Sequence, residues 1–329
     1  MNEQITKHLN EIFAPYDGVK SVAELKEDLH ADLQERFCEL KAQGKDDETA
    51  LTMTMDSIGD IHETVQEVAT FSRSLERQVR INLSARNLKE SDFAGVVSHH
   101  GKFKSSVLSG TDFTGADLTG SLFSSCSARD ADFAGANLTD SSFTSCSARD
   151  VNFTAAILID SSFTSCSMHG ANFDGANLTN CVISSTDLSE ATFCQSFLTR
   201  TTVKASNLKG AKFRDGRLTE VTFGSSNLTE VMFEKCLFEG AVFQSSNLRG
   251  INFEGMTFMG VHFDKSILTD VSFRGATLKN VSFTLPFSLT NKAYHDFKTV
   301  CFDGATMDKL TYAALQGLWV ADLSHVTVM

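Results

Sequence analysis

Apolar residues recur at every fifth position through most of the chain, from Leu83 to Phe283. Of the 41 positions in this register, 38 are Phe, Leu, Ile, Val or Met, and the exceptions are Ser98, Ala128 and Ala148. A period of five fits neither a strand, whose side chains alternate every two residues, nor an α-helix, whose faces repeat every 3.6 residues. A short fixed period instead indicates stacked units, none of which can bury its apolar side alone.

A second period of twenty residues organises the first. Every twentieth residue from Phe93 is phenylalanine, and two of the intervening columns are mainly leucine. Twenty residues therefore form one coil of four five-residue segments, with Phe on two opposite sides and Leu on the other two, which fills a narrow tube with interdigitating layers. The predicted core residues are Phe93, Phe113, Phe133, Phe153, Phe173, Phe193, Phe213, Phe233, Phe253, Phe273, Leu118, Leu138, Leu178, Leu208, Leu228 and Leu248.

The positions between these apolar centres also follow a rule. Two residues before each centre the chain prefers small or slim side chains such as Ala116, Ser141 and Cys126, as a narrow interior requires. The remaining three positions of each segment are largely polar and suit a solvated wall. Stacked as parallel rungs about 4.8 Å apart, the segments predict roughly ten coils and a rod about 50 Å long.

Individual segments carry a recognisable signature. Residues 116–120 (ADLTG), 136–140 (ANLTD) and 176–180 (ANLTN) resemble the A-(D/N)-L-x-x motif of the pentapeptide-repeat family, and the resemblance covers residues 83–283. It implies an all-β, right-handed, parallel, four-sided β-helix with the central Phe or Leu buried. The family's functions are diverse, so the motif indicates the fold rather than an activity.

Residues 1–80 are predicted to form a separate, acidic α-helical domain. Apolar residues recur at a spacing of three to four through this part of the chain, and Ser21 with Glu24 matches a capping box. Gly44 and Gly59 are predicted to end two of the helices. The predicted helices cover residues 4–13, 21–43, 47–58 and 60–80.

Two interpretations of this domain remain open. Residues 24–29, 40–45 and 57–60 resemble the small helical prefix domain of many Firmicute membrane and regulatory proteins, which implies a docking or signalling module. Alternatively, the helices only cap the first coil of the rod, whose open edge would otherwise template aggregation.

Residues 284–329 are predicted as an irregular and partly helical C-terminal cap after residues 81–283. The five-residue register fails after Phe283, a loop is expected over 284–291 and a short helix over 292–299, and the step resumes at Phe302 and Met307 in shifted register. The apolar residues near the end form a candidate interface: Leu318, Trp319, Val320 and Leu323. This segment is either a terminal lid or, as the resemblance to gyrase-targeting pentapeptide-repeat proteins implies, a homodimer contact.

Charge and composition narrow the function classes. The net charge of −12 divides into −8 over residues 1–85 and −4 over residues 86–329, so a basic surface for direct nucleic-acid binding is not expected. No apolar run reaches the ~20 residues of a membrane span, and the N-terminus lacks a signal-peptide pattern. Eight cysteines, mostly at inward positions, do not suggest a framework of disulfides. The expected location is the cytoplasm.

Candidate chemistry is sparse. Cys126, Cys146 and Cys166 lie twenty residues apart and should stack, but inward thiols in one column suit space-filling better than a metal or redox site. The adjacent His99 and His100 have no other ligand at a suitable spacing in the sequence. No nucleophile, phosphate-binding or paired-carboxylate motif is present, and a filled interior leaves no pocket. The sequence therefore predicts a protein that is not an enzyme and has no cofactor or metal.

Two functional hypotheses follow. The first is a non-catalytic, cytosolic protein-interaction rod whose helical domain docks a regulatory or membrane-associated protein of unknown identity. The second is a gyrase-binding mimic of DNA that protects topoisomerase from inhibitors, as the family resemblance allows. A mimic needs rows of carboxylates, and basic residues such as Lys212, Arg214 and Arg217 interrupt them.

Overall fold

The computed structural model describes residues 2–16, 20–58, 61, 64–66, 68, 82–286, 292–318 and 321–329. The chain divides into two compact units, Met1–Val79 and Arg80–Met329. Each unit has a hydrophobic core of its own. We call the first unit the head and the second unit the rod.

The head consists of helices that pack around a small apolar core. Its described helices are α1 (Asn2–Phe13), a 3₁₀ turn (Ala14–Tyr16), α2 (Lys20–Ala42) and α3 (Asp47–Asp56). Ile5 and Leu9 from α1 are buried against Val22 and Leu33 from α2, as the three-to-four spacing of these residues requires. The N-cap of α3 is Asp46, whose carboxylate accepts a hydrogen bond from the Thr49 N–H at 2.9 Å.

The helices predicted over 4–13, 21–43 and 47–58 correspond to α1, α2 and α3. The prediction that Ser21 and Glu24 form a capping box lies outside the described side chains. Most of the helix predicted over 60–80 also lies outside the described residues, although residues 64–66 and 68 are helical.

The rod is a parallel β-solenoid of about eleven turns, which confirms the predicted fold class. Consecutive turns pair with a shift of twenty residues, as in the pairing of Phe103 with Phe123. The described strands lie in three sheets. The ten-stranded sheet contains Lys102–Lys104, Leu122–Ser124, Ser142–Thr144, Ser162–Thr164, Val182–Ser184, Thr202–Lys204, Thr222–Gly224, Val242–Gln244, His262–Asp264 and Ser282–Thr284. The seven-stranded sheet contains Phe197–Thr199, Arg217–Thr219, Leu237–Glu239, Thr257–Met259, Thr277–Lys279, Thr306–Met307 and Thr327–Val328, and the two-stranded sheet contains Lys212–Arg214 and Met232–Glu234.

The four sides of the solenoid are named here by their inward-pointing centres. Wall A has the centres Phe93, Phe113 and every twentieth residue to Phe273; wall B starts at Ser98, wall C at Phe103 and wall D at Leu88. The ten-stranded sheet forms wall C and the seven-stranded sheet forms most of wall B. Isolated parallel bridges connect successive rungs of walls A and D. Walls B, C and D are therefore continuous ladders of paired rungs, whereas the pairing of wall A is interrupted between the rungs of Met232 and Asn252.

Phenylalanine rings fill the interior in two stacked columns. Along wall C, the ring centroids of Phe123 and Phe143 lie 4.4 Å apart and nearly parallel. Phe123 also meets Phe133 of wall A edge to face, at 5.7 Å and 88°. Offset stacks along a column and edge-to-face contacts across the tube are both favoured geometries for aromatic rings. The twenty-residue period of Phe thus has a direct packing cause.

The inward positions that precede each centre are buried, and small residues occupy most of them. Ala116 and Ala136 have no exposed surface, and Ser121 donates a hydrogen bond to the Ser98 carbonyl at 3.0 Å. Ala128 and Ala148, which replace leucine on wall D, are also buried. The stacked pair of Phe123 and Phe143 on wall C is the shortest ring stack in the described rod. These closely stacked rings belong to the wall next to that of the two alanines.

Polar residues at the corners stabilise the turns. Asp or Asn one residue before a centre accepts a hydrogen bond from the backbone N–H two residues later, as Asp112 does from Thr114 at 2.8 Å. The second residue after a centre has a positive φ, and it is often Gly, Asp or Asn; Asp130 has a φ of 54°. The preference for Asp, Asn and Gly at these two positions therefore follows from backbone geometry.

The C-terminal residues form a short, partly helical part, as predicted, and also add further rungs to the rod. Helix α4 (Lys292–Phe297) interrupts the register, and Phe302 then stacks on Phe273 at 5.4 Å. Thr306–Met307 pairs with Thr277–Leu278, and Thr327–Val328 pairs with Thr306–Met307. The predicted resumption of the five-residue step corresponds to these rungs, and they explain why the rod has about eleven turns rather than ten.

One C-terminal helix has no counterpart in the sequence prediction. Helix α5 (Lys309–Gly317) has Asp308 as its N-cap and buries Leu315. Leu318 and Leu323 of the candidate interface are partly buried against the core of the rod. The other two residues of the candidate interface, Trp319 and Val320, lie outside the described residues.

Asp308 links α5 to the last regular rung. Its carboxylate accepts hydrogen bonds from the Thr311 N–H and the Asn280 N–H, both at 2.8 Å. Desolvation raises the pKa of Asp308, but these bonds and that of the Thr311 hydroxyl outweigh it, so the pKa lies below 3.8. We expect Asp308→Ala to destabilise the C-terminal rungs by about 1–2 kcal/mol at neutral pH.

The stabilisation by Asp308 should depend on pH in a defined direction. Because its pKa is lower in the folded state, the contribution is fully present above the unfolded pKa of about 3.9 and is lost as pH falls through the folded value. Urea unfolding of wild type and Asp308→Ala at several pH values across this range measures the contribution of Asp308 to the free energy of unfolding. A difference between the two proteins that stays constant down to strongly acid pH would contradict this account.

Candidate functional site

The candidate functional surface of the rod is the outer side of its four walls, because its interior is filled with side chains. The centres from Phe113 to Phe273 are buried, whereas Phe93 near the first rung is partly buried. The chemically active side chains therefore project from the four walls and their corners. None of the helices in the described part of the chain has the length and apolar character needed to span a bilayer.

Wall A carries negative charges on its first rungs and a positive charge further along the same line. Asp92, Asp112 and Asp132 lie on three successive rungs, joined by parallel bridges. The hydrogen bonds from the side chain and N–H of Thr114 lower the pKa of Asp112. Further along, Asn and Thr replace the carboxylates, and Lys212 follows on the same line. Wall A is thus acidic at its first rungs and basic about five rungs later.

A small surface cavity of about 200 Å³ lies at the basic end of wall A. It is lined by Cys194, Lys212, Phe213, Arg214, Met232 and Glu234. Arg214 donates a hydrogen bond from Nε to Glu234 at 2.7 Å, and this ion pair raises the pKa of Arg214. Lys212 forms no ion pair with any of the described residues. The cavity shows that the sequence-based expectation of no pocket holds for the interior of the tube but not for its surface.

Wall C is flat and largely uncharged in its central rungs. Its outward residues there are mostly Ser and Thr, such as Ser142, Thr144 and Ser162. The Ser162 hydroxyl donates to Ser142 at 3.2 Å across adjacent rungs. Hydroxyl groups on adjacent rungs therefore satisfy part of each other's hydrogen-bonding capacity. Such a wall is compatible both with exposure to solvent and with contact to another protein.

Wall D carries a ladder of short-range ion pairs along one corner. Lys89 pairs with Glu90 at 3.1 Å, and Lys209 with Glu230 at 3.2 Å. Two further pairs join Arg129 to Asp130 and Arg149 to Asp150. These side chains are largely exposed, so each pair contributes little to stability. The basic residues on this wall are therefore largely neutralised within the rod.

Exposed apolar residues are scattered over the walls. Phe197 on wall B is 52% exposed, and Leu122 on wall C and Met232 on wall A are also exposed. The sequence analysis did not single out Ile157, which is exposed on wall B two rungs before Phe197. Isolated residues of this kind are common on soluble proteins and do not by themselves mark an interface.

The family model described as "Pentapeptide repeat region" matches residues 117–193, 136–213 and 217–283. These matches fall on the rungs whose Phe and Leu centres fill the tube. The chain belongs to the pentapeptide-repeat family. The matched model describes a repeat region and not an enzyme, and no curated protein matches the sequence. The resemblance of the head to prefix domains of Firmicute proteins is not confirmed and stays a prediction.

Several solved pentapeptide-repeat structures are similar to this one at low identity. HetL from the cyanobacterium Nostoc, involved in heterocyst differentiation regulation, is 19% identical over 69% of this chain and 91% of its own, with a TM-score of 0.30. Full-length QnrB1, a plasmid-mediated fluoroquinolone resistance protein, is 22% identical over 71% and 97%, with a TM-score of 0.31. Rfr23 from the cyanobacterium Cyanothece is 13% identical over 50% and 92%, with a TM-score of 0.15.

The cysteine column of this pentapeptide-repeat rod is a structural feature of its interior. All eight cysteines are free thiols. Cys126, Cys146 and Cys166 are buried on wall D, and each thiol donates to the backbone carbonyl of a wall C centre on an adjacent rung. The hydrogen bond with Cys146 and burial raise the pKa of Cys126, and burial raises the pKa of Cys181 to about 12. The hydrogen bond with Cys146 instead lowers the pKa of Cys166. Buried thiols with a raised pKa, such as Cys126 and Cys181, are poor nucleophiles and poor metal ligands.

The paired histidines have a partner that the sequence did not reveal. His99 Nε2 lies 3.0 Å from the Asp117 carboxylate on the next rung. The sequence analysis found no acidic residue at a ligand-like spacing, which was wrong, because residues eighteen apart become neighbours across a coil. Even so, the described residues include no group of three or more His, Cys, Asp or Glu side chains placed to hold a metal.

The head contains one groove of note, between α1 and α2. Its volume is about 350 Å³, and its lining includes Leu9 and Ala23 with Thr6, Asn10, Lys26, Glu27 and His30 around them. The Thr6 hydroxyl lies 3.0 Å from His30 Nε2. An apolar floor with a polar rim is the usual composition of a site that accepts one side chain of a ligand or protein.

Proposed function

We propose that this protein is a non-catalytic, cytoplasmic protein-interaction rod whose head docks a partner protein. The observation that carries the proposal is the filled interior of the rod: rings and aliphatic side chains occupy the tube over its whole length. Such a solenoid presents long, rigid walls and no deep cleft, which suits binding of an extended protein surface better than catalysis.

The head is the proposed docking module because it combines a groove with a strongly acidic surface. Residues 1–85 carry a net charge of −8, and Glu27 lies at the rim of the groove. A groove of this size accepts one apolar side chain, and the surrounding charge favours a basic partner segment. We therefore propose a regulatory or membrane-associated partner that inserts an apolar residue flanked by Lys or Arg.

Affinity capture with the full-length protein tests this role of the head. Ala23→Arg should fill the groove and reduce capture of the partner at least roughly tenfold, because it removes the apolar pocket and repels a basic segment. Ala31→Arg is the matched control, since Ala31 is exposed on the same helix outside the groove. Equal capture by wild type and both variants would refute docking at the groove.

A second candidate function is binding of gyrase as a mimic of DNA. The observation in its favour is the row of Asp92, Asp112 and Asp132 on wall A. The row is short, and Lys212 and Arg214 follow on the same wall. Gyrase supercoiling, titrated with this protein in the presence and absence of a quinolone, tests the idea. Inhibition or drug protection at stoichiometric amounts would support it, and no effect at large excess would exclude it.

A further inference from the structure

The charges of wall A form a pattern that a second copy of the same wall can satisfy. Asp92, Asp112 and Asp132 occupy its first three described rungs, and Lys212 lies on the same line of side chains. None of these four residues forms an ion pair with another described residue. The rungs between them carry Asn152, Asn172 and Thr192 at the same position, so the middle of the line is uncharged.

The spacing of these charges is fixed by the solenoid. Asp112 and Lys212 are five rungs apart, which corresponds to about 24 Å at the usual strand spacing. Each rung between them pairs in parallel with the next, so the line of side chains is continuous. Small corner residues, including Gly115, Gly135 and Gly175, leave room for close approach. The order and spacing of the charges along the wall are therefore fixed.

We propose that wall A binds wall A of a second copy in an antiparallel, two-fold symmetric arrangement. A two-fold axis in the plane of the contact, perpendicular to both rods, reverses the order of the rungs but keeps each line of side chains opposite itself. With the axis between the rungs of Asn152 and Asn172, Asp112 of each copy faces Lys212 of the other. Both ion pairs form at once, Asn152 of each copy faces Asn172 of the other, and Asp132 faces Thr192.

In a parallel arrangement of the two copies, the same charged residues would not form ion pairs. A two-fold axis along the rods places each rung opposite the same rung of the second copy but exchanges the two outward lines of the wall. Lys212 would then face Arg214 of the other copy, and Asp112 would not face Lys212. Like charges placed directly opposite each other are strongly unfavourable at an interface. Asp174 near the middle of the wall does not disturb the antiparallel arrangement, because its rung lies opposite that of Thr154.

The contact area sets the expected strength. Eight rungs with an effective wall width of about 12 Å bury about 450 Å² on each copy, or about 900 Å² in total. This total is well below the roughly 1,600 Å² of standard stable interfaces and falls in the range of weak, transient contacts. The dimer should therefore be weak, dependent on protein concentration and sensitive to salt, because its two ion pairs lie near the solvent.

Analytical ultracentrifugation of the full-length protein at low and high salt tests the proposal. We expect reversible dimerisation at low salt and a dissociation constant that rises with salt. Lys212→Glu should raise this constant at least roughly tenfold, since it places like charges opposite each other. Combining Asp112→Lys with Lys212→Asp should restore it to within about threefold of wild type, because the exchanged charges match again.

Two controls separate this contact from others. Lys209→Glu on wall D should leave the dissociation constant unchanged. Leu310→Glu changes an exposed residue of α5 at the C-terminal end, and it should also have no effect. A protein that stays monomeric at every concentration overturns the proposal. A dimer that Leu310→Glu abolishes and Lys212→Glu leaves intact overturns it as well, and assigns the contact to the C-terminal end.

Discussion

Replacing Phe193 with alanine is expected to lower the free energy of unfolding by about 3–5 kcal/mol. Phe193 is 1% exposed and lies near the middle of wall A. Its ring stacks on Phe173 at 4.9 Å and on Phe213 at 4.7 Å. Removing the ring leaves a cavity between two rigid neighbours, and the hydrogen-bonded rungs above and below limit how far the wall can collapse into it.

Phe197→Ala provides the matched control for this prediction. Phe197 is the same residue type four positions later, but it points outward from wall B and is 52% exposed. We expect its replacement to change stability by less than about 0.5 kcal/mol. Urea unfolding followed by far-ultraviolet circular dichroism measures both variants. Similar losses for the two would mean that the inward and outward positions have been assigned wrongly.

Enlarging an inward small residue is expected to be nearly as damaging. Ala136 is fully buried two residues before Leu138, where the backbone turns in towards the axis of the tube. Ala136→Leu should destabilise the rod by about 1–3 kcal/mol, because three extra carbon atoms have no space in a filled interior. The thermal unfolding midpoint should fall accordingly.

Ala134→Leu is the corresponding control on the surface. Ala134 lies two residues earlier, on the outward side of wall A, and its N–H donates to Asp132 at 2.9 Å. A larger side chain there projects from the wall, so we expect little change in the midpoint. If Ala136→Leu stabilised the protein instead, the interior would contain unfilled space beside Ala136, and the packing described above would be wrong.

The rod was predictable from sequence because one repeating constraint determines it. A tube this narrow accepts a large apolar residue only at the centre of each segment and favours a small one two positions earlier. The residue types of Phe133 and Ala131 therefore indicate that both side chains point inward. The turn residues add a second, local signal, since Asp132 hydrogen-bonds its own turn. Both signals act within one coil and need no knowledge of distant residues.

The C-terminal end was harder to predict because it breaks the period. Phe302 follows Phe273 by 29 residues instead of twenty, so the register alone could not place it. Helix α5 was missed although Asp308 and Thr311 form a local N-cap signal at its start. The apolar residues of this short segment were also consistent with a terminal lid. The sequence alone therefore did not identify a helix there.

The candidate interaction surfaces were the least predictable. Residues on either side of a centre face solvent, so packing of the core does not restrict them. The turn favours Asp or Asn before a centre, but it does not determine which rungs carry a charge. The charge pattern of wall A becomes visible only when Asp112 and Lys212 are placed on one line by the twenty-residue coil. His99 and Asp117 illustrate the same point at closer range.

The backbone hydrogen bonds of the rod join residues about one coil apart in sequence. The Phe113 N–H donates to the Asp132 carbonyl at 2.7 Å, and the Asp132 N–H donates to the Thr111 carbonyl at 2.9 Å. A nascent chain can therefore complete each rung as soon as about twenty further residues have emerged from the ribosome, with the previous rung as its template. Synthesis and folding of the rod can advance together, one coil at a time, and a pause in translation would leave a finished stack with an open edge at its growing end.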